Sequence, residues 1–437
     1  MSKEITPEEF DASMNRLGVR NISPKVAIAV SGGGDSLALA MLMRDWVKNR
    51  GGDMLALTVD HGLRPESATE VVTIAQLMRT HDIAHSTLVW PGDKPSTHIQ
   101  ERARIARYNL LLKACRQHGF PVLAIAHNLE DQIETFWMRL AHGSGLDGLS
   151  AMAPVRDIEG ISVIRPLLPF SREQLRTTCA RYQLNWIEDP SNQNRKYLRA
   201  RLRQFENLLA EEGLTPARLS QTLQKLEEAR QALQAITEQA MTACVQEHAE
   251  GYATLRLNIW KEFPHDLQRR ILGQALMLVV AHPYPIGFDL MEQTCLDLHN
   301  PAFAGKTLAG CEIIPGKNGH LFIVREAGAI EGRVKANEGM IWDGRFIISG
   351  IRAEAMEIGA LGSSGLSELR KNMTHESVSL QKLEALPFRV KLVLPALWQG
   401  ENLIAVPNVG YYSQDCPQGL QTGIITMARS AKQGRIH

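Results

Sequence analysis

Residues 26–36 read Val-Ala-Ile-Ala-Val-Ser-Gly-Gly-Gly-Asp-Ser, a β-branched apolar run that breaks into a loop of serine and glycine. Val26–Val30 has the make-up of a buried strand, and Leu37–Val47 continues as an apolar helix. The loop therefore falls where a strand hands over to a helix N-terminus, whose unpaired N–H groups and dipole favour an anion. Gly32, Gly33 and Gly34 allow the backbone to approach a phosphate closely, and Ser31 and Ser36 add hydroxyl donors. Asp35 is the odd member, because a carboxylate beside phosphates makes sense chiefly if it holds a metal ion. No lysine follows, so this is not the Gly-Lys-Ser/Thr loop of ordinary ATPases. The competing reading is a glycine-rich turn with no ligand.

That junction opens a longer alternation. Strand-like runs at Val26–Val30, Met54–Asp60, His85–Trp90, Val122–His127 and Ser162–Arg165 alternate with helical stretches. The helices lie near Leu37–Lys48, Ser67–Thr80, Thr97–Gln117, Glu130–Ala141 and Ser171–Tyr182. The order predicts an α/β fold, a parallel sheet with helices on both faces and ligands beyond the carboxyl ends of its strands. Thr215-Pro216 starts a different regime, a charged amphipathic helix running to about His248. Residues 254–330 read as a strand, helices at Leu267–Val280 and Phe288–Leu298, and a hairpin around Lys317-Asn318-Gly319. Further on come a hairpin through Trp342-Asp343-Gly344-Arg345, a loop or linker at Leu361–Ser367, and strands at Arg389–Leu394 and Leu403–Val406. The expected domains are a nucleotide-binding catalytic domain over 1–214, a helical linker and middle domain over 215–330, and a small α+β C-terminal domain over 331–437.

The 437 residues carry a net charge of only +1, so a polyanionic partner must be met by local patches. One such patch runs from Arg195 to Arg203 with no acidic residue inside it. Arg195, Arg199 and Arg203 recur every four residues and would stripe one helix face for phosphate contacts, with Tyr197 placed to stack on a base. The six cysteines show no Cys-x-x-Cys, which argues for buried thiols in a reducing compartment and against a metal or cluster site. No signal-peptide pattern opens the chain and no stretch is apolar enough to span a bilayer. A cytoplasmic protein with no membrane role is expected, and no protein partner is evident.

Two more clusters fall at predicted strand ends, and a third on a helix between them. The second strand closes in Asp60-His61-Gly62-Leu63-Arg64, suited to nucleotide contact or simply to a turn capped by Ser67. The fourth leads into His127-Asn128-Leu129-Glu130-Asp131, with Glu134 one helical turn on. Asp131 and Glu134 share a helix face, and with His127 they could bind a metal or move a proton. Acidic residues in a first turn also suit the helix dipole with no function implied. Between these, Arg104, Arg107 and Tyr108 line one face of the third predicted helix.

Ser31–Ser36 resembles the pyrophosphate-binding loop of the N-type ATP pyrophosphatases. Taken with Asp60–Arg64, Ala103–Tyr108, His127–Thr135, Gly143–Leu149, Arg165-Pro166-Leu167 and Glu188–Asn192, it resembles the tRNA(Ile)-lysidine synthetases in order and spacing. The resemblance is strong over residues 25–205 and weaker beyond. It implies that ATP activates the wobble cytidine of a tRNA(Ile) with a CAU anticodon by adenylating its C2 oxygen. L-lysine then attacks C2, and the products are pyrophosphate and AMP. It further implies that Ser31, Gly32, Gly33, Gly34 and Ser36 hold pyrophosphate, that Asp35 binds Mg²⁺, and that Asp60, His61 and Arg107 contact the nucleotide. Asp131, His127 and Glu134 become candidates for metal or lysine positioning. The family commonly has two adjacent histidines where this chain has His127-Asn128, and Asn128 cannot be a charged acid or base at neutral pH. Its arginine stretch usually carries asparagine where Ala200 stands.

Two other classes compete. tRNA thiolases and amidating synthetases share the loop, but thiolases generally need a cysteine pair or a cluster-binding Cys-x-x-Cys, and only Cys115 and Cys179 lie in the catalytic half. An RNA-binding protein with a degenerate loop is the non-enzymatic alternative, opposed by the intact Asp35, Ser36 and Asp131.

Overall fold

The computed structural model describes residues 3–19, 24–63, 67–186 apart from four positions between 93 and 98, 208–280, 286–349, 356–372, 378–416 and 425–427. They form two compact units that divide between Ala232 and Leu233. In the first unit the order is α1 (Pro7–Arg16), β1 (Lys25–Ala29), α2 (Gly34–Lys48), β2 (Asp53–Asp60), α3 (Ser67–Thr80) and β3 (Ala84–Val89). Then follow α4 (Ile99–His118), β4 (Val122–Ala124), α5 (Leu129–Ala141), the one-turn α6 (Leu146–Leu149), β5 (Val155–Ile158), β6 (Ile161–Ile164) and α7 (Arg172–Arg181).

The sheet order is β3-β2-β1-β4-β6-β5, parallel throughout except for the β5–β6 pair. Alternation along β1 explains the two cores. Val26, Ile28 and Val30 pack with α1, α2, α3 and α7, whereas Ala27 faces the other layer with Leu111, Leu112 and Cys115 of α4. The chain builds outward from β1 through β2 to β3 and then returns to place β4 on β1's other side. The crevice beyond the carboxyl ends of β1 and β4 is thus the switch point where doubly wound sheets bind ligands.

One local expectation changes here, and two details are added to the others. β4 is shorter than Val122–His127, because after Ala124 the chain keeps one bond, Ile125 N–H to Ile164 C=O at 2.9 Å, and His127 then turns back to Ile125. The added strand β5 is an antiparallel edge joined to β6 by a two-residue turn, Glu159 and Gly160 at φ 51° and 80°. The Ser67 hydroxyl, besides the capping expected of it, donates to Asp60.

The boundary between the units falls inside α8 (Pro216–Cys244), whose Leu219 and Leu223 pack on Leu129, Ile133 and Phe136 of α5. The helix stops four residues before His248, where Val245–His248 pairs with Tyr252–Arg256 through a turn at Gly251 (φ 84°) and His248 stacks on Tyr252 at 4.1 Å. The second unit has the expected helices, as His265–Val279 and Phe288–His299, and the expected hairpin, with Asn318 at φ 57°. It adds a five-stranded antiparallel sheet in which Tyr252–Arg256 pairs with His320–Arg325.

Two segments near the C-terminus differ from expectation. Leu361–Ser367 is no linker, because Gly362–Asn372 is a helix that buries Leu366 and Leu369. Gly365 serves close packing there: a Cβ would lie 2.8 Å from the Trp398 ring. Arg389–Leu394 is not a strand but mainly the short helix Phe388–Leu392, opened by Pro387, and the strand begins at Pro395. The hairpin through Asp343 and Gly344 (φ 49° and 65°) is anchored by a buried cluster in which Asp343 accepts from both Arg325 and Arg345. All six cysteines are buried thiols. Among the described residues no helix is long and apolar enough to cross a membrane.

Candidate nucleotide and transfer site

β1 delivers the Ser31–Ser36 loop straight into the N-terminus of α2. Gly32 takes φ 84°, a conformation that a side chain would strain, and Gly33 is the N-cap with no side-chain cap bond. The first N–H groups of α2 are therefore not consumed by a capping side chain. The Ser36 hydroxyl is buried and donates to Gly33 C=O at 2.8 Å while accepting from Ser31 N–H at 3.2 Å, which sets the curl of the loop. The indole of Trp186 lies over Gly34, 3.4 Å from where a Cβ would stand, an ordinary van der Waals distance.

Across the switch point, Asn128 caps α5. Its Oδ1 accepts from Asp131 N–H at 2.9 Å and its N–H donates to Asp131 Oδ2 at 3.1 Å, a reciprocal capping box. Its Nδ2 also donates to Asp35 Oδ2 at 2.9 Å, joining the first turn of α2 to the first turn of α5. Arg172, at the start of α7, faces both carboxylates, with Nε 3.9 Å from Asp35 and Nη2 3.6 Å from Asp131. Glu130 accepts from Arg172 N–H at 2.8 Å and fixes that helix end.

The electrostatics follow from burial. Desolvation raises Asp35 above the ordinary carboxylate range, opposed by Arg172 and by the Asn128 hydrogen bond. Asp131 is pushed up to about 6, chiefly by desolvation and further by Glu134 and Asp35, against the Asn128 backbone bond and Arg172. Glu134 is itself buried one turn along α5. Asp60 is held low, first by the Ser67 hydroxyl and then by Gly62 N–H, and stays ionised at the end of β2. His61 Nδ1 accepts from Leu63 N–H at 3.1 Å, so both residues shape the turn that follows β2.

His127 lies beyond β4 and accepts at Nδ1 from the Nε of the buried Arg165 at 3.2 Å. An acceptor Nδ1 leaves the proton on Nε2, so His127 offers a donor rather than a metal-ligating lone pair there. Arg165 also lines a cavity of about 270 Å³ with Arg104, Arg139, Arg156, Arg230 and Asp147. Arg139 donates to the carbonyls of Gly148 and Ala151 and so closes the Gly143–Leu149 loop into this wall. On α4, Tyr108 is buried with Arg104 stacked over it at 5.1 Å, and Arg107, one turn from Arg104, keeps surface exposed while lying close enough to both for their charges to act on it. Arg195, Arg199, Arg203 and Glu188–Asn192 lie outside the described residues.

No group of three or more His, Cys, Asp or Glu side chains is placed to hold a metal ion among the described residues. The pair Asp35 and Asp131 still fits Mg²⁺ arriving with a nucleotide, since that ion is satisfied by one or two carboxylates with phosphate oxygens and water completing the shell. Arg172 is absent from the candidates that the sequence offers, and Arg165 stands there only as part of the Arg165-Pro166-Leu167 motif, with no role given to it. A signal for Arg172 exists: an arginine in a helix's first turn opposes the dipole and needs an anionic neighbour.

Comparison with known proteins finds relatives along most of the chain. Residues 6–209 match the model of a PP-loop domain. The chain is 31% identical over 386 residues to the tRNA(Ile)-lysidine synthase of Ruegeria pomeroyi, covering 88% of this chain and 89% of that protein. It is 32% identical over 394 residues to that of Wolbachia pipientis, covering 89% of each. With that of Rhodopseudomonas palustris identity rises to 43% over 220 residues, half of this chain and 64% of the relative. A phosphate loop at the switch point, two carboxylates tied across it and relatives matched along most of their length lead to one conclusion: the chain belongs to the tRNA(Ile)-lysidine synthase family.

Proposed function

We propose that this protein ligates L-lysine to C2 of the wobble cytidine of a tRNA(Ile) carrying a CAU anticodon, forming lysidine at the expense of ATP. The observation that carries the reading is the Asn128 bridge, which brings Asp35 of the phosphate loop together with Asp131 of α5 in a chain of this family. The cytidine C2 oxygen attacks the α-phosphorus of ATP, and pyrophosphate leaves towards the N–H groups of Gly32–Gly34 and the Ser31 hydroxyl. Mg²⁺, held by Asp35, would offset the charge of the phosphates. The lysine ε-amine, once deprotonated, attacks C2 of the adenylated base, and AMP departs with the former C2 oxygen.

A carboxyl poised near 6 suits Asp131 to receive the lysine proton or to hold its ammonium. Glu134, on the same helix face, assists in that charge balance, and the Nε2–H of His127 can donate to an oxygen of the reacting base. Asp60, His61 and Arg107 are assigned to the nucleotide's outer contacts, and the arginine-lined cavity beside His127 fits a polyanionic substrate. Purified protein with ATP, radiolabelled lysine and tRNA(Ile) transcripts tests the whole reading. Label should enter the CAU transcript and no transcript with another anticodon; incorporation into none, or into all equally, refutes it.

A further inference from the structure

Asn128 is fully buried and carries more than a helix cap requires. Its Oδ1 serves Asp131 N–H, its backbone N–H serves the Asp131 carboxylate, and its Nδ2 serves Asp35, whose residue number is 93 lower. The amide can stand only one way round. Turned over, it would set its oxygen against the Asp35 carboxylate and its NH₂ against a backbone N–H. Aspartate would meet the capping need but repel Asp35, and serine would cap but fall short of it. The remaining neighbour of both carboxylates, Arg172, approaches at 3.6–3.9 Å as a loose ion pair, which tolerates drift that a 2.9 Å hydrogen bond does not.

We propose that Asn128 is a positioning residue for the metal–nucleotide site: it holds the Asp35 carboxylate at a set distance and orientation from Asp131, so that the pair meets Mg²⁺-bound ATP already arranged. A neutral amide does this without cancelling the charge that a cation needs, whereas Arg172 cancels it. The inference rests on reading the Ser31–Ser36 loop as a Mg²⁺–ATP site, and it deepens that reading by assigning the carboxylate geometry to a residue outside the loop.

The test is Asn128→Ser in the full-length protein, which keeps an N-cap acceptor and drops the donor to Asp35. ATP binding is measured by calorimetry across a series of MgCl₂ concentrations, with the melting temperature of each protein alongside. The Mg²⁺ concentration giving half-maximal ATP binding should rise about tenfold, as when a metal ligand loses its supporting hydrogen bond, with the melting temperature little changed. An unchanged Mg²⁺ dependence overturns the inference. So does a large fall in melting temperature with ATP binding weakened equally at every Mg²⁺ concentration, since that marks a purely structural residue. Failure of the functional reading looks different: the parent protein would bind ATP in a Mg²⁺-dependent way and yet make no lysidine.

Discussion

The buried guanidinium of Arg165 donates from Nε to Nδ1 of His127 at 3.2 Å and from Nη1 to Ala153 C=O at 2.7 Å. It therefore selects the tautomer of His127 and closes the wall of the adjoining cavity. Nitrogen-15 NMR of the imidazole should find the Nε2–H tautomer at neutral pH. Arg165→Met should mix the tautomers and cost about 1–3 kcal/mol for the carbonyl left unpaired. A parent protein with its proton on Nδ1 would contradict the assignment.

Burial lifts Asp131 from 3.8 to about 6, and the sign of its effect on stability follows. Between those values the folded chain keeps a proton that the unfolded chain has released, so stability falls as pH rises through about 4 to 6 and is flat above. Asp131→Asn should therefore unfold in urea with a gain of up to about 3 kcal/mol at pH 8 in the absence of Mg²⁺. The gain should vanish near pH 4, while lysine transfer is lost. A variant less stable than its parent at pH 8 would show that the carboxylate contributes more through its cap than it costs by desolvation.

Cleavage at the α-phosphorus predicts AMP and pyrophosphate as products, with no ADP, and turnover that needs both Mg²⁺ and tRNA. Asp35→Ala should lower turnover by about 10³-fold, roughly 4 kcal/mol of barrier, with the fold intact by circular dichroism. ADP among the products, or parental rates in the variant, would count against the loop assignment.

In the second unit, Asp343 accepts from Arg345, which is 2% exposed, and from Arg325. Asp343→Asn keeps a residue that tolerates φ 49° but leaves two guanidinium groups without their counter-charge. Removing one partner of a buried pair costs about 3–5 kcal/mol, which urea unfolding of the full chain would register. A change below 1 kcal/mol would mean that water already solvates the cluster.

Arg195, Arg199 and Arg203 offer a separable outcome. Replacing all three with alanine should weaken tRNA binding and flatten its salt dependence, because fewer counterions are released, while ATP binding without tRNA stays as in the parent. Unaltered affinity and slope would rule these arginines out as tRNA contacts.

The phosphate loop is legible in the sequence because everything that makes it is local: a buried strand, glycine at φ 84° and a helix start all lie within eleven residues. The parallel sheet follows from the alternation of strands and helices for the same reason. Local pattern fails where packing overrides it. The glycines and serines of Leu361–Ser367 suggest a loop, yet the burial of Leu366 and Leu369 and the approach of Gly365 to Trp398 make a helix. Arg389–Leu394 reads as a strand, yet Val390 is buried from a helical turn set by Pro387.

Asp35, His127 and Asp131 can each be picked out from strand ends and helix starts, so the chemistry of the site is written in short stretches of sequence. What joins them is not. The bond from Asn128 to Asp35 spans 93 positions, Arg172 comes from a third helix, and Arg165 reaches His127 from the end of β6. No periodicity carries distances between separate crossovers, and no motif carries the desolvation that raises Asp131. Those are set only when the return of β4 to the side of β1 draws both carboxylates, half-buried, into one crevice.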